Sequence, residues 1–169
     1  MTYRFSEENP LLNTVEMLPL YCKHYEEMRA RQRECGDEIP NFDPDLETYH
    51  RQWIAGIFKN YVARIAETNE PVGYANVYVL RSMHTKKIIA EEDTIYVLPE
   101  HRNGLGKKLL LYGLDKLHKQ GVTKLYVRAM TDARVEKLWK RMGFKTVAAC
   151  MVYDFAKHGE KQSVQANRS

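Results

Sequence analysis

Residues 91–110 restrict the fold more than any other stretch of the chain. They read Glu91-Glu92-Asp93-Thr94-Ile95-Tyr96-Val97-Leu98-Pro99-Glu100-His101-Arg102-Asn103-Gly104-Leu105-Gly106-Lys107-Lys108-Leu109-Leu110. Ile95 to Leu98 are β-branched, aromatic or aliphatic and predict a strand, which Pro99 must end because it has no N–H to give a ladder. Leu105, Leu109, Leu110, Leu114 and Leu117 then recur at helical spacing as far as Gly121, a residue suited to the position just past a helix end. A strand therefore feeds through a short basic turn straight into a helix N-terminus.

The first N–H groups of such a helix have no partner inside it, and its macrodipole puts a partial positive charge there. An anion is the natural guest. Gly104 and Gly106 let a phosphate approach the backbone, while Arg102, Lys107 and Lys108 add full charges. The spacing excludes two phosphate binders. A P-loop needs four residues between its glycines and then Lys-Ser/Thr, and the dinucleotide fingerprint needs Gly or Ala where this chain has Leu109.

The length of 169 residues suits one domain with a hydrophobic core. Hydrophobic residues at 44% and charged ones at 28% are ordinary for a soluble globular protein. No apolar run approaches the roughly 20 residues a membrane helix needs, and no leader is recognised, so a cytoplasmic location is expected. Cys22, Cys35 and Cys150 are odd in number and lack metal-type spacing, which predicts neither a disulfide framework nor a metal site. The net charge of +4 suits an anionic ligand, but the basic residues are dispersed and imply no nucleic acid.

Elsewhere, residues 13–34 predict a helix with an apolar stripe of Val15, Leu18, Tyr21, Cys22, Tyr25 and Met28, leaving His24, Glu26 and Glu27 as a solvated face. Asp43-Pro44 opens a second helix whose Leu46, Tyr49, Trp53, Ile54, Ile57 and Phe58 share a buried face, with Trp53 in the core. Tyr61 to Ala66 and Val72 to Leu80 alternate as a hairpin around Thr68-Asn69-Glu70-Pro71, followed by a strand from Ile88 to Leu98. Thr123 to Met130 is a further strand. Thr131 or Asp132 caps a helix that turns Val135, Leu138, Trp139 and Met142 inward, and Phe144 to Val147 and Ala149 to Ala156 are the last strands. Residues 1–156 make one domain, and the polar segment 157–169 is expected to be disordered.

Three ordered motifs resemble the GNAT N-acetyltransferase superfamily over roughly residues 61–153. Pro71-Val72-Gly73-Tyr74-Ala75 is similar to its hairpin strand. Tyr96-Val97-Leu98-Pro99-Glu100-His101-Arg102 with Gly104-x-Gly106 is similar to its coenzyme A pyrophosphate loop. Leu138-Trp139-Lys140-Arg141-Met142-Gly143-Phe144 is similar to its late helix. The first sixty residues and Ser82-Met83-His84 look most like small GNAT proteins of bacteriophages. The resemblance implies an α/β fold of α+β type, a mostly antiparallel mixed sheet flanked by helices, and acetyl-CoA as cofactor. It implies cofactor contacts from Val97, Leu98, Arg102, Asn103, Gly104, Leu105, Gly106, Lys107, Asp132 and Trp139, with a backbone N–H near Val97 or Leu98 polarising the thioester where two strands splay. The first helical region would wall the acceptor side.

The chain departs from the family pattern in three places. Its loop is one residue short, so His101 and Arg102 compete for the usual Arg/Gln position; Asp132 replaces Asn; and Trp139 stands where many members carry a proton-donating Tyr. Tyr126 or Tyr153 could replace that donor, although each reads first as core. An amine with a pKa of about 10.4 is rarely neutral at pH 7, so a base helps. By strand alternation Glu91, Asp93, Ile95 and Val97 share a face, and Glu91 or Asp93 is the candidate base. Cys150 has no spaced His for a thiol relay. The reading is direct transfer of acetyl from acetyl-CoA to a primary amine, on a small molecule or a protein. A catalytically weak acyl-CoA-binding protein acting through a partner is the first alternative and a nucleotide-binding regulatory domain the second. Pairing of two copies as a homodimer stays open.

Overall fold

The computed structural model describes residues 1–129, 133–153 and 155. The elements run β1 (Tyr3–Glu7), α1 (Thr14–Glu34), α2 (Leu46–Ile54), β2 (Phe58–Ile65), β3 (Pro71–Arg81), β4 (Ile88–Val97), a 3-10 turn at Pro99–His101, α3 (Leu105–Lys119), β5 (Val122–Tyr126) and α4 (Ala133–Arg141). One sheet in the order β1-β2-β3-β4-β5 is antiparallel up to β4, and β5 joins β4 in parallel. The expected mixed, mostly antiparallel sheet between helices is observed. Segment 157–169, expected to be disordered, lies outside the described residues.

Helix α3 covers one face of the sheet, where Tyr61 and Phe5 meet Tyr112 and a Cβ on Gly113 would lie 3.1 Å from the Tyr61 ring. Helix α1 covers the other, with Tyr21 against Tyr74 and His24 stacked on Tyr96, both at 4.7 Å between ring centroids. Strand β1, too short for a period-two pattern to announce it, packs Tyr3 and Phe5 on the core. The buried Arg64 guanidinium binds it to the neighbouring elements by donating to Glu8, Glu16 and the Asn69 carbonyl.

Several sequence expectations are corrected. Val15 is 88% and Leu18 40% exposed, whereas Met17 and Leu20 are buried. The inward stripe of α1 continues through Tyr21, His24 and Glu27, so its polar members hid it from a hydropathy reading. In α2 the capping residue is Asp45, not Asp43, and no side chain is fully buried. Trp53 is only partly buried, Ile54 and Ile57 are exposed, and Phe58 belongs to β2. Strand β5 ends at Tyr126 rather than Met130. Residues 144–153 form no strand, and Val147, Met151 and Val152 are exposed. Their β-propensity finds no neighbouring strand among the described residues, and propensity expresses fit against neighbours more than an intrinsic preference.

At the end of β4, Gly73 faces Val97 so closely that a Cβ would lie 2.9 Å from Val97 Cγ2 and 3.0 Å from the Tyr96 carbonyl oxygen. Gly73→Ala is expected to destabilise the protein by about 1–3 kcal/mol through overpacking, read from the urea unfolding midpoint. An unchanged midpoint would show that β3 and β4 separate freely at this point.

Candidate active site

Among the described residues β4 pairs with β5 only from Ile88 to Glu91, yet β4 itself runs on to Val97. Beyond that pairing the two chains part, and the buried side chain of Glu92 reaches across the gap. Its carboxylate accepts the Arg128 backbone N–H at 3.1 Å, and the Trp139 indole N–H donates to the Arg128 carbonyl at 3.3 Å. A carboxylate and an indole thus take over the backbone groups that would otherwise have continued the ladder. Burial pushes the Glu92 pKa up to about 7, and the nearby Asp93 charge adds to the rise.

The antiparallel register with β3 jumps from Asn76↔Thr94 to Val77↔Glu92, leaving Asp93 as an extra residue. Such a bulge resets strand alternation. Glu91, opposite Tyr78, stays on the α1 face, whereas Ile95 and Val97 turn to the α3 face. The expected shared face of Glu91, Asp93, Ile95 and Val97 is therefore split. Leu98 N–H donates to the Val72 carbonyl at 2.9 Å, so it is already committed. Alternation then points the Val97 N–H to the opposite edge of β4, away from β3.

Gly104 caps α3 in the left-handed region at φ 84°, which favours a residue without Cβ, and no side chain caps the helix. The first-turn N–H groups of Leu105, Gly106 and Lys107 are thus left for a ligand. Asn103, Gly104, Lys107 and Lys108 are exposed, and Leu105 anchors the turn in the core. Arg102 is drawn elsewhere. Its Nε donates to the Val97 carbonyl at 2.8 Å, and its terminal nitrogen donates to both Glu27 oxygens at 3.0 and 2.8 Å. His101 meets the Tyr3 hydroxyl through Nδ1 at 3.0 Å.

Glu27 and His24, expected on a solvated face, connect this loop to the inner faces of β3 and β4. Burial raises the Glu27 pKa, but the hydrogen bonds from Tyr96 and Arg102 outweigh it, and the net shift is downward. The Tyr96 hydroxyl donates to Glu27 at 2.7 Å, and His24 Nδ1 lies 2.6 Å from the Tyr74 hydroxyl. Burial lowers the His24 pKa to about 4, so its imidazole is neutral at pH 7. A spacing of three residues from Tyr21 to His24 to Glu27 was the signal available in the sequence.

Beside this network, between the sheet, α1, α2 and the 40–46 loop, lies a cavity of about 900 Å³. Asp93, Thr94, Asn76, Tyr74 and Tyr78 line it from the sheet. Burial raises the Asp93 pKa, partly opposed by Arg128 and Thr94. Glu91 does not line the cavity; its carboxylate lies 3.9 Å from the Arg128 guanidinium at the more exposed end of the strand. Tyr126, opposite Glu91 on β5 and so on the same face, is 41% exposed, and Tyr153 is 51% exposed. Neither is core. Trp139 is 3% exposed, with its ring against Phe144. Asp132 lies outside the described residues. Cys22, Cys35 and Cys150 are free thiols. Among the described residues no helix is long and apolar enough to cross a membrane.

The model of the acetyltransferase (GNAT) family matches residues 23–144. Among curated proteins none matches the sequence. Three solved structures give the scale of the likeness. A ribosomal-protein-alanine N-acetyltransferase from Brucella melitensis biovar Abortus 2308 has a TM-score of 0.70 at 20% identity, covering 91% of this chain and 99% of that one. An aminoglycoside acetyltransferase from an uncultured soil metagenomic sample, in complex with sisomicin, has 0.69 at 21%, covering 90% and 95%. A protein of Clostridium acetobutylicum described as a predicted acetyltransferase with acetyl-CoA has 0.66 at 14%, covering 93% and 99%. At these identities the likeness is one of fold.

The Glu92 carboxyl has a pKa of about 7 in the folded protein against the ordinary 4.5, so folding favours its protonated form. Its contribution to stability is full below pH 4.5 and is lost as the pH rises through about 7. Glu92→Gln keeps an acceptor for Arg128 and removes the buried charge. The variant is expected to gain up to about 3 kcal/mol over the parent at pH 8 and little at pH 4, measured by urea unfolding at each pH. A difference that does not vary with pH would rule out this burial.

Proposed function

The chain belongs to the acetyltransferase (GNAT) family, and from that premise we propose that it transfers acetyl directly from acetyl-CoA to a primary amine that enters through the aromatic cavity. The observation that carries this reading is the parting of β4 and β5 beside an uncapped helix start. The local chemistry fits the cofactor: three first-turn N–H groups without side-chain competition suit a diphosphate, and the Val97 N–H on the edge of β4 away from β3 suits a carbonyl oxygen. Bound acetyl-CoA supplies an activated thioester.

The protein's own groups do the rest. Leu105, Gly106 and Lys107 bind through their backbone, with Asn103 and Gly104 shaping the approach and Lys107 adding charge. Arg102 joins them on exchanging Glu27 for phosphate, an exchange of one anionic partner for another. Asp93 takes a proton from the incoming ammonium, directly or through a water, and its cavity position favours it over Glu91. Val97 N–H stabilises the charge that develops on the carbonyl oxygen. Tyr126, on the same face at the start of the gap, holds a proton at its hydroxyl for the departing sulfur. Trp139 positions the Arg128 backbone and donates no proton to the reaction.

Gly106→Glu tests the cofactor placement, because a Cβ there meets only Val97 Cγ2, at 3.9 Å, and leaves the fold intact. Calorimetry is expected to show acetyl-CoA binding weakened by roughly a hundredfold or more; undiminished affinity would remove the loop from the site. Asp93→Asn is expected to lower kcat by about 10²–10⁴-fold, with Glu91→Gln much closer to the parent. Because Asp93 acts as the carboxylate, activity falls as the pH drops through its burial-raised pKa. That limb disappears in Asp93→Asn. Persistence of the limb would transfer the base role elsewhere, and binding of acetyl-CoA without thiol release from any amine would indicate a binding protein.

A further inference from the structure

The cavity that ends at Asp93 has a charge and a wall that narrow the acceptor, on the reading that this cavity takes the amine. Its volume of about 900 Å³ lies near the upper end of small-molecule sites, which run to about 1,000 Å³. Aromatic rings come to it from every surrounding element: Tyr21 and Tyr25 from α1, Phe42 from the 40–46 loop, Tyr49 from α2, and Tyr74 and Tyr78 from β3. Burial raises the pKa of Tyr21, Tyr49, Tyr74 and Tyr78, which holds these four phenols in the neutral state. His24 is likewise uncharged at pH 7.

Among the described residues, the charged side chains lining the cavity are all carboxylates: Asp93 stands on the sheet, Asp43 and Asp45 stand on the loop that leads into α2, and no lysine or arginine lines it. This occurs on a chain with 26 Lys and Arg against 22 Asp and Glu, and Arg128, whose charge acts on Asp93 from outside the lining, is set against the Glu91 carboxylate at 3.9 Å. Asp45 is engaged as the α2 cap, with its oxygens accepting the Thr48 N–H and hydroxyl, and it remains charged. Asp43 is exposed at the entrance. Carboxylates thus occur both on the sheet and at the entrance, with aromatic faces between them that attract cations.

We propose that the acceptor is a small-molecule polyamine: a compound with at least two amino groups and no carboxylate, whose reacting nitrogen lies at Asp93 and whose second ammonium is held at the Asp43–Asp45 entrance. The carbon chain between them lies against the tyrosines. An amino acid or a peptide terminus carries a carboxylate or a polar backbone into a cavity whose described lining holds no lysine or arginine, and is disfavoured for that reason.

Four acceptors separate the terms. Cadaverine and spermidine carry the second amine, pentylamine lacks it, and lysine is cadaverine with one carboxylate added. With the full chain and saturating acetyl-CoA, thiol release is expected to give the better of the two polyamines a kcat/KM at least about tenfold above both pentylamine and lysine. Asp43→Asn is expected to raise the polyamine KM several-fold with kcat little changed, and added salt to raise it further. Lysine or an alanine-terminated peptide matching the polyamines would overturn the proposal, as would pentylamine matching them. Acetyl-CoA binding with no release from any of the four would overturn it too. Loss of acetyl-CoA binding itself would instead strike the transferase reading on which this one rests.

Discussion

The structure depends on how β4 is released from β5 after Glu91. A strand edge left open inside a protein exposes N–H and C=O groups that must find partners. Here the Glu92 carboxylate and the Trp139 indole take the two polar groups of Arg128, and the extra residue at Asp93 twists β4 away at the same point. The gap between the strands is thereby held apart by side chains rather than filled by backbone. A buried carboxylate is a costly choice for the purpose, since isolated charge is poorly tolerated there. Its raised pKa shows how the cost is limited: the group can carry a proton.

The two halves of the site are mechanically connected. Arg102 belongs to the helix-start loop, Glu27 and His24 to α1, Tyr96 to β4 and Tyr74 to β3, and hydrogen bonds and ring contacts run through all five. A change at the loop therefore reaches the wall of the aromatic cavity through a few directional contacts. Packing alone would transmit less, because it lacks their fixed geometry.

Much of this fold was legible in the sequence because it rests on periodicity and on turn chemistry. The hairpin at Thr68 to Pro71, the strand stopped by Pro99 and the leucine helix all appear where their residues place them. Of the candidate site, the helix start at Gly104 and Gly106 and the carboxylate of Asp93 were legible. What escaped has physical reasons. Strict alternation cannot anticipate a bulge, so Asp93 was grouped with the wrong neighbours and Glu92 was passed over. A hydropathy stripe omits polar side chains that face inward, so His24 and Glu27 were assigned to solvent. Nor does a motif record present partners: the Arg102 side chain is held by the Glu27 carboxylate and the Leu98 N–H by the Val72 carbonyl.

The short contact between Tyr3 and His101 ties the outermost strand to the turn that opens α3. Strand β1 is thus a brace for the loop. A change that pulls on β1 would therefore be felt at the turn before α3, and through it at the first N–H groups of that helix.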